Sequence, residues 1–247
     1  MKYDLDAGAG DGLRLGLIVL STDETLEFEA RKILCGRPAN MMHTRIPSAA
    51  DVTPDDLRSM ADSMTETAAR LPADLGAVAY ACTSGATLIG PGEVERLVQT
   101  ALPDVPVTNP MSAVIAALNA LGARRIGMVT PYVPEVVRPM QDHLAANGIE
   151  TVAEVSFGEK DDRTVARISE QSTLAAMREA ASENVDAVFA SCTNLRTFDV
   201  IEQAEKELGL PVISSNSALL WHLLRRAGAE TDGWGPGRLF TPGGAHG

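Results

Sequence analysis

The sequence has few aromatic residues and no long apolar run. Aromatic residues make up 4% of the 247 residues, so we expect a core built mainly from Ala, Val, Leu and Ile. No apolar run approaches the roughly 20 residues that a helix needs to cross a bilayer. Residues 1–6 also lack the apolar stretch of a secretory signal. These absences predict a cytoplasmic protein whose thiols stay reduced.

Metal-binding and nucleotide-binding motifs are missing as well. The three cysteines, Cys35, Cys82 and Cys192, form no Cys-x-x-Cys pair and have no close Cys/His spacing, so a zinc site is not expected. Neither a Gly-x-Gly-x-x-Gly sequence nor a P-loop follows the first predicted strand, so nucleotide or flavin dependence is not expected either. We therefore expect no metal and no cofactor.

Negative charge is in excess, with 33 Asp and Glu residues against 21 Lys and Arg residues and a formal net charge of −12. Phosphate backbones and anionic headgroups repel such a chain, so we expect neither a nucleic-acid nor a membrane partner. The net charge does not argue against a small anionic substrate, because such a substrate responds to the charges of its own pocket.

Short apolar runs alternate with longer amphipathic stretches, which is typical of a parallel α/β fold. The order of strands and helices also repeats along the chain. The predicted strands cover 14–20, 40–46, 76–80 and 105–107, and then 125–130, 149–155, 186–190 and 211–213. The longer predicted helices cover 23–34, 111–121, 134–147, 164–183 and 216–227.

The repeated order predicts two similar parallel-sheet α/β domains, related by a pseudo-two-fold axis, with the active site in the cleft between them. We expect a flexible tail over residues 1–12. The first domain is predicted to comprise 13–113 plus 214–247, and the second 114–213. Ligands of open α/β sheets bind at the carboxyl ends of the strands, so residues that follow the strands are the first candidates for the site.

Two cysteines stand at such places. Cys82 and Cys192 each follow a short apolar strand and begin a Cys-Thr turn, which we expect to lead into a helix. The positive end of a helix favours a thiolate and lowers the pKa of a cysteine. Two such thiols facing each other across a cleft would form an acid–base pair. The alternative is that both cysteines only pack in the core, as free cysteines often do.

Five segments together resemble the Asp/Glu racemase superfamily, and within it the branch of maleate isomerases and arylmalonate decarboxylases. The resemblance covers about residues 14–227. Its segments are residues 20–27, the Cys82 turn, Val129-Thr130-Pro131-Tyr132, residues 161–167 and the Cys192 turn. No single segment suffices, but the two cysteine turns with the Pro-Tyr turn between them form a fairly specific set.

The resemblance implies a cofactor-free enzyme in which one cysteine removes a proton from, or attacks, a carbon next to a carboxylate. The second cysteine works from the opposite face. An enolate-like intermediate needs hydrogen-bond donors at its oxygens, and the predicted donors are Thr83, Ser84, Thr193 and Asn194. Tyr132 is expected to bind a substrate carboxylate, and Arg45, at the end of the second strand, is a further candidate for that contact. A homodimer or homotetramer is implied as well.

The departures from the family pattern bear on the substrate. Maleate isomerases carry asparagine where this chain has Asp23, and another near the position of Asp162. Because a carboxylate repels a second carboxylate unless one is protonated, we expect a substrate with a cationic group beside one carboxylate. That chemistry resembles the ectoine-utilisation (EutA) type of the superfamily. Asp23 is also a good helix N-cap, and both roles can hold together.

The leading hypothesis is therefore an isomerase of the racemase or epimerase type, acting on an ectoine-related, hydroxyectoine-related or amino-acid-like compound. One alternative is a maleate-type cis–trans isomerase in which Cys82 adds to the alkene and Cys192 is an acid. Another is an arylmalonate-type decarboxylase, although the resemblance implies only one catalytic cysteine in that branch. An alternative of another class is a non-catalytic metabolite-binding module, because fold alone does not fix function.

Overall fold

The computed structural model of the protein describes residues 1–6, 8, 12–181 and 184–242. Residues 1–6 of the predicted tail are exposed and form no helix or strand. Three parts of the predictions lie outside the described residues. These are the rest of the tail over 7 and 9–11, the end of the predicted helix at 182 and 183, and the end of the predicted first domain at 243–247.

Two four-stranded parallel sheets form the framework, which confirms the predicted α/β fold class. The first contains β1 (Leu13–Leu20), β2 (Ala39–Ile46), β3 (Ala77–Ala81) and β4 (Val107–Thr108) in the order β2-β1-β3-β4. The second contains β5 (Arg125–Tyr132), β6 (Glu150–Glu159), β7 (Ala187–Ala190) and β8 (Val212–Ser214) in the order β6-β5-β7-β8. Each half of the chain thus builds its sheet in the same order.

Helices connect the strands. In the first half they are α1 (Leu26–Leu34), α2 (Pro54–Ser59), α3 (Ala61–Ala68), α4 (Thr83–Ile89), α5 (Pro91–Ala101) and α6 (Pro110–Ala120). Then follow α7 (Pro134–Ala146), α8 (Asp162–Val165), α9 (Glu170–Ala180), α10 (Phe198–Leu208), α11 (Ser215–Arg226) and a 3-10 helix (Arg238–Phe240). None of the helices in the described part of the chain has the length and apolarity needed to cross a membrane.

Local capping explains where two helices differ from the predictions. The helix predicted from residue 23 begins at Leu26, because the Asp23 carboxylate accepts hydrogen bonds from the backbone N–H groups of Thr25 and Leu26. The helix predicted over 164–183 is divided into α8 and α9. Ser169 caps the second of these by accepting a hydrogen bond from the N–H of Ser172, as N-cap serines do.

The core lies on both faces of the two sheets and consists mainly of aliphatic side chains, in keeping with the low aromatic content. The central strands β3 and β7 are buried along their whole length. Helix α11 follows the second sheet in the sequence but packs against α6 and β3 of the first half. The domain limits stay a prediction.

The carboxyl ends of the two sheets are joined by a short backbone bridge. Asp51, in the loop after β2, pairs with Asp161, in the loop after β6. The N–H of Val52 donates to the carbonyl of Lys160, and the N–H of Asp162 donates to the carbonyl of Ala50, both at 2.9 Å. Asp51 and Val52 of this bridge line a small cavity together with Cys82, which follows β3.

Candidate active site

Cys82 lies directly after β3 and caps α4. Its backbone is extended, with φ −150° and ψ 116°, and its Sγ accepts the N–H of Gly85 at 3.2 Å. Glycine is needed at residue 85, since a Cβ there would lie 2.5 Å from the Tyr80 hydroxyl and 3.0 Å from Cys82 Sγ. The predicted turn from strand to helix is therefore confirmed at this cysteine.

Cys192 lies directly after β7, but the helix predicted to follow it at once is absent. The chain instead makes a loop, and α10 begins only at Phe198. Cys192 has φ 112°, a left-handed backbone that costs a non-glycine residue on the order of 1–3 kcal/mol. Its Sγ accepts the N–H of Asn194 at 3.3 Å and lies 3.2 Å from the Tyr132 hydroxyl.

Burial raises the pKa of both thiols. For Cys82 the pKa rises to about 12, and for Cys192 it rises well above its ordinary value. The nearby negative charges of Asp162 and Asp23 raise both values further. The backbone N–H groups of Gly85 and Asn194 lower these pKa values, in the direction predicted for the helix terminus at Cys82. Loss of water around a charged sulfur has the larger effect.

Tyr132 and Asp162 connect the Cys192 turn to the first half of the chain. The Tyr132 hydroxyl donates to Asp162 Oδ1 at 2.9 Å. Burial raises the pKa of Tyr132 well above its ordinary value, so this hydroxyl keeps its proton. Thr22 donates its hydroxyl to Asp162 Oδ2 at 2.6 Å, and the Asn194 side chain donates to the Asp162 carbonyl at 2.9 Å.

Asp23 is buried, and only one of its oxygens has a partner. Oδ1 accepts the N–H groups of Thr25 and Leu26 at 2.9 and 2.8 Å, which is the predicted capping role. Oδ2 is buried without a hydrogen-bond partner among the described residues, although the Thr193 side chain lies near enough to lower the pKa of this carboxyl. Burial raises the pKa of this carboxyl to about 7. Asp23 thus caps the start of α1 and still keeps an oxygen for another contact.

The four predicted donors have different neighbours. Thr83 donates its hydroxyl to Ser215 Oγ at 2.8 Å, and Ser215 Oγ also accepts the N–H of Cys192 at 3.0 Å. This hydroxyl therefore links the two cysteine turns. The Thr193 hydroxyl lies 3.5 Å from the carbonyl of Ala81. The Ser84 hydroxyl is buried and has no partner within the described residues.

Arg45 stabilises the turn between β1 and α1. Its guanidinium donates to the carbonyls of Leu20 at 2.9 Å and Asp23 at 3.0 Å, and it forms an ion pair with Glu27 at 2.5 Å. Arg45 lies in a surface cleft, where its guanidinium N–H groups point at these two carbonyls and at the Glu27 carboxylate. Its predicted contact with a substrate carboxylate stays a prediction.

One small cavity brings the chemistry together, with a volume of about 20 Å³, the space of about one water molecule. Among the described residues the cavity is lined by three carboxylates, Asp51, Asp56 and Asp162, and by no Lys, Arg or His. Cys82 and Tyr132 also line it, and Tyr132 contacts Cys192. The cavity itself thus offers one thiol, a phenol and negative charge, and the second thiol, that of Cys192, adjoins it through Tyr132.

Three buried residues that touch the Cys192 turn or its contacts were not predicted from the sequence: Glu29, Ser215 and Asn216. Glu29 could have been recognised from the sequence, since a charged residue stands there on the apolar face of α1 with Leu26, Ala30 and Ile33. Ser215 and Asn216 belong to a polar run after β8 that reads as ordinary helix capping. Their contacts with the Cys192 turn are visible only in three dimensions.

Comparisons with known proteins agree with this geometry. The model of the arylmalonate decarboxylase family matches residues 15–240. The maleate isomerase of Nocardia farcinica is 29% identical over 240 residues, covering 92% of this chain and 95% of that protein. The arylmalonate decarboxylase of Bordetella bronchiseptica is 28% identical over 195 residues, covering 76% and 81%.

A solved structure of the Nocardia farcinica maleate cis–trans isomerase, a cysteine-to-serine variant with a covalently bound succinylcysteine intermediate, superposes with a TM-score of 0.83. It is 26% identical, and the match covers 92% of this chain and 98% of that one. Cysteine chemistry is therefore known in a relative that shares the whole fold.

Proposed function

The chain belongs to the arylmalonate decarboxylase family of enzymes, and within that family we propose that it is a cofactor-independent isomerase of the racemase or epimerase type. In this proposal Cys82 and Cys192 act on a carbon next to a carboxylate. The observation that carries the proposal is that Tyr132 both lines the cavity with Cys82 and contacts Cys192 Sγ. One tyrosine thus lies near a thiol from each half of the duplicated fold, which supports a joint role for the two cysteines.

In this reaction one cysteine, as thiolate, takes the proton from the carbon, and the other thiol gives its proton to the opposite face. The configuration inverts, and the two sulfurs exchange protonation states. Donors are needed where the enolate oxygens develop charge. The proposed donors are the Ser84 hydroxyl, which is buried without a partner among the described residues, and the turns at Thr83, Thr193 and Asn194.

We propose a substrate that carries a cationic group beside its carboxylate, such as an ectoine-related, hydroxyectoine-related or amino-acid-like compound. Two observations support a cation: the carboxylate of Asp162, and the lack of basic residues among the described residues that line the cavity with it. Asp23, whose Oδ2 has no partner among the described residues, lies in the adjoining cleft together with Arg45 and Arg163. Such a cation would offset the negative charges that raise both thiol pKa values. Substrate binding would therefore help to form the thiolate.

A maleate-type cis–trans isomerase is a second candidate, favoured by the maleate isomerases among the relatives. In that reaction the Cys82 thiolate adds to one alkene carbon, and Cys192, as the acid, protonates the other. The former double bond, now single, rotates. Cys192 then takes the proton back and the Cys82 thiolate leaves, which gives the trans alkene. Asp23, with a pKa of about 7, would be largely protonated below neutral pH. It could then donate a hydrogen bond to a second carboxylate, as an asparagine would.

Arylmalonate-type decarboxylation remains the third candidate, since a decarboxylase is also among the relatives. The two cysteines favour isomerisation over it, because a reaction that protonates one face needs one thiol. We retain the sequence-based proposals of a cytoplasmic protein, a small carboxylate-bearing substrate, and a homodimer or homotetramer.

Proton-exchange NMR in D2O tests the proposal. Ectoine, hydroxyectoine, aspartate, glutamate and maleate are each incubated with the protein, and the variant Cys82→Ser/Cys192→Ser is the control. We expect exchange at a carbon next to a carboxylate in a cationic compound, and none with the control. Conversion of maleate to fumarate would favour the second candidate instead. Exchange that survives in the control would contradict any role for the thiols.

A further inference from the structure

The Cys192 turn is held from outside the cavity by the first turn of α11. The Cys192 N–H donates to Ser215 Oγ at 3.0 Å. The carbonyl of Thr193 accepts a hydrogen bond from the Asn216 side-chain amide at 2.8 Å. Both contacts reach the backbone on either side of the left-handed Cys192 residue, so they fix the direction in which its thiol points.

Glu29, on α1, holds the side chain of Asn216 in place. Its Oε2 accepts a hydrogen bond from the same Asn216 amide group at 2.7 Å. Its Oε1 accepts the backbone N–H groups of Thr197 and Phe198 at 2.8 and 3.0 Å, at the start of α10. Only 2% of the residue is exposed. One buried carboxylate therefore joins α1, α10 and α11 around the Cys192 loop.

The polarity of these contacts admits only an acceptor at residue 29. Thr197, Phe198 and Asn216 all present hydrogens to the carboxylate. The Asn216 amide uses its two hydrogens on two acceptors, Glu29 Oε2 and the Thr193 carbonyl, which fixes its orientation. If Asn216 turned over, its own oxygen would face the Thr193 carbonyl. A change at residue 29 should therefore alter the hydrogen bond between Asn216 and the carbonyl of Thr193, the residue next to Cys192.

We propose that Glu29, acting through Asn216, is a positioning residue for Cys192. The inference rests on the proposed function for the meaning of Cys192, but its geometry stands apart from any substrate. Glu29 does not line the cavity, and it touches no reacting atom. It keeps a strained turn closed, so that Cys192 Sγ stays beside the Asn194 N–H and the Tyr132 hydroxyl.

Cys82 needs no such brace, because the α4 backbone that follows it holds its Sγ. It therefore serves as an internal reference for the test. The rates at which iodoacetamide labels Cys192 and Cys82 are measured by peptide mass spectrometry, and their ratio is compared between variants. Since Tyr132 lines the cavity with Cys82 and contacts Cys192, a general opening of the site affects both rates, whereas a change in the Cys192 turn affects one.

The variants are Glu29→Gln and Asn216→Ala. Glutamine keeps the shape of the side chain but places an NH2 group against groups that are themselves donors. Alanine at 216 removes the link and leaves Glu29 capping α10. In both we expect the Cys192:Cys82 ratio to rise by roughly tenfold, because a loosened thiol is less buried and one unit of pKa changes the thiolate fraction about tenfold. With a substrate in hand, kcat should fall more than KM changes.

Glu205→Gln is the matched control. Glu205 is also a buried carboxylate that accepts backbone N–H groups, those of Val212 and Arg238, but it touches neither cysteine turn. This variant should lose stability without changing the labelling ratio. The inference is overturned if Glu29→Gln and Asn216→Ala, folded by circular dichroism, keep the ratio of the unaltered protein. If Glu29→Gln does not fold, Asn216→Ala decides alone. Labelling needs no substrate, so failure of the proposed function would appear only in the NMR survey.

Discussion

The two cysteine turns follow equivalent strands of a duplicated fold, yet they are built differently. At Cys82 the chain leaves β3 in an extended conformation and enters α4 at once, so nearby backbone holds the thiol. At Cys192 the chain leaves β7 through a left-handed residue and a loop, which Ser215, Asn216 and Glu29 hold from elsewhere in the sequence. Equivalent strand order thus places two thiols together without giving them equivalent surroundings.

Because different residues hold the two cysteine turns, we expect a substitution at one turn to change the reactivity of that turn's thiol more than that of the other. Tyr132→Phe gives the largest of these effects, because it removes the hydroxyl 3.2 Å from Cys192 Sγ and the donor to Asp162. We expect turnover of the identified substrate to fall by about 10²-fold, in the range that a positioned proton-handling group supplies. The Cys192 labelling rate should change more than that of Cys82, because only Cys192 Sγ contacts the lost hydroxyl. Equal changes at both thiols would contradict the separation of the two turns.

Gly85→Ala should act on the other thiol. The added Cβ would lie 2.5 Å from the Tyr80 hydroxyl and 3.0 Å from Cys82 Sγ, so the strand-to-helix turn must shift. We expect the free energy of unfolding to fall by about 1–3 kcal/mol, and the labelling rate of Cys82 to change. Gly92→Ala is the control, since nothing lies within 4 Å of its added Cβ. Equal stability of the two variants in urea denaturation would refute the tight approach at Gly85.

Asp23→Asn should affect both turns alike, by a smaller amount. The charge of Asp23 raises the pKa of Cys82 and of Cys192, so its removal should move both pH–labelling curves to lower pH by less than about one unit. A curve that moves for only one thiol would show that Asp23 belongs to one turn.

The same variant has a predicted effect on stability. Burial raises the pKa of Asp23 from 3.8 to about 7, so the folded protein holds this proton more tightly than the unfolded chain. The stability that the carboxyl contributes relative to asparagine is therefore fully present below pH 3.8 and is lost as pH rises through about 7. Urea denaturation of both proteins across this range measures it. If the stability of the unaltered protein rose with pH relative to that of Asp23→Asn, the buried position would be contradicted.

Local sequence patterns were sufficient to predict the strands and the positions of the two cysteines after them. Apolar runs and polar turns depend on residues that are neighbours in the sequence. These patterns failed at the Cys192 loop. Thr193 and Asn194 resemble the start of a helix, but the groups that hold them, Glu29 and Asn216, lie far away in the sequence. The effect of burial on the thiol pKa values was missed for a related reason: a helix terminus is local, whereas burial depends on the whole fold.

Above all, we propose that the two thiols work on opposite faces of one carbon. The most direct test starts from one stereoisomer of the identified substrate in D2O and follows deuterium at early times by NMR and mass spectrometry. We predict that the inverted product carries deuterium at that carbon, while the remaining substrate keeps its hydrogen. Product formed without solvent deuterium, or deuterium appearing equally in substrate and product, would contradict it.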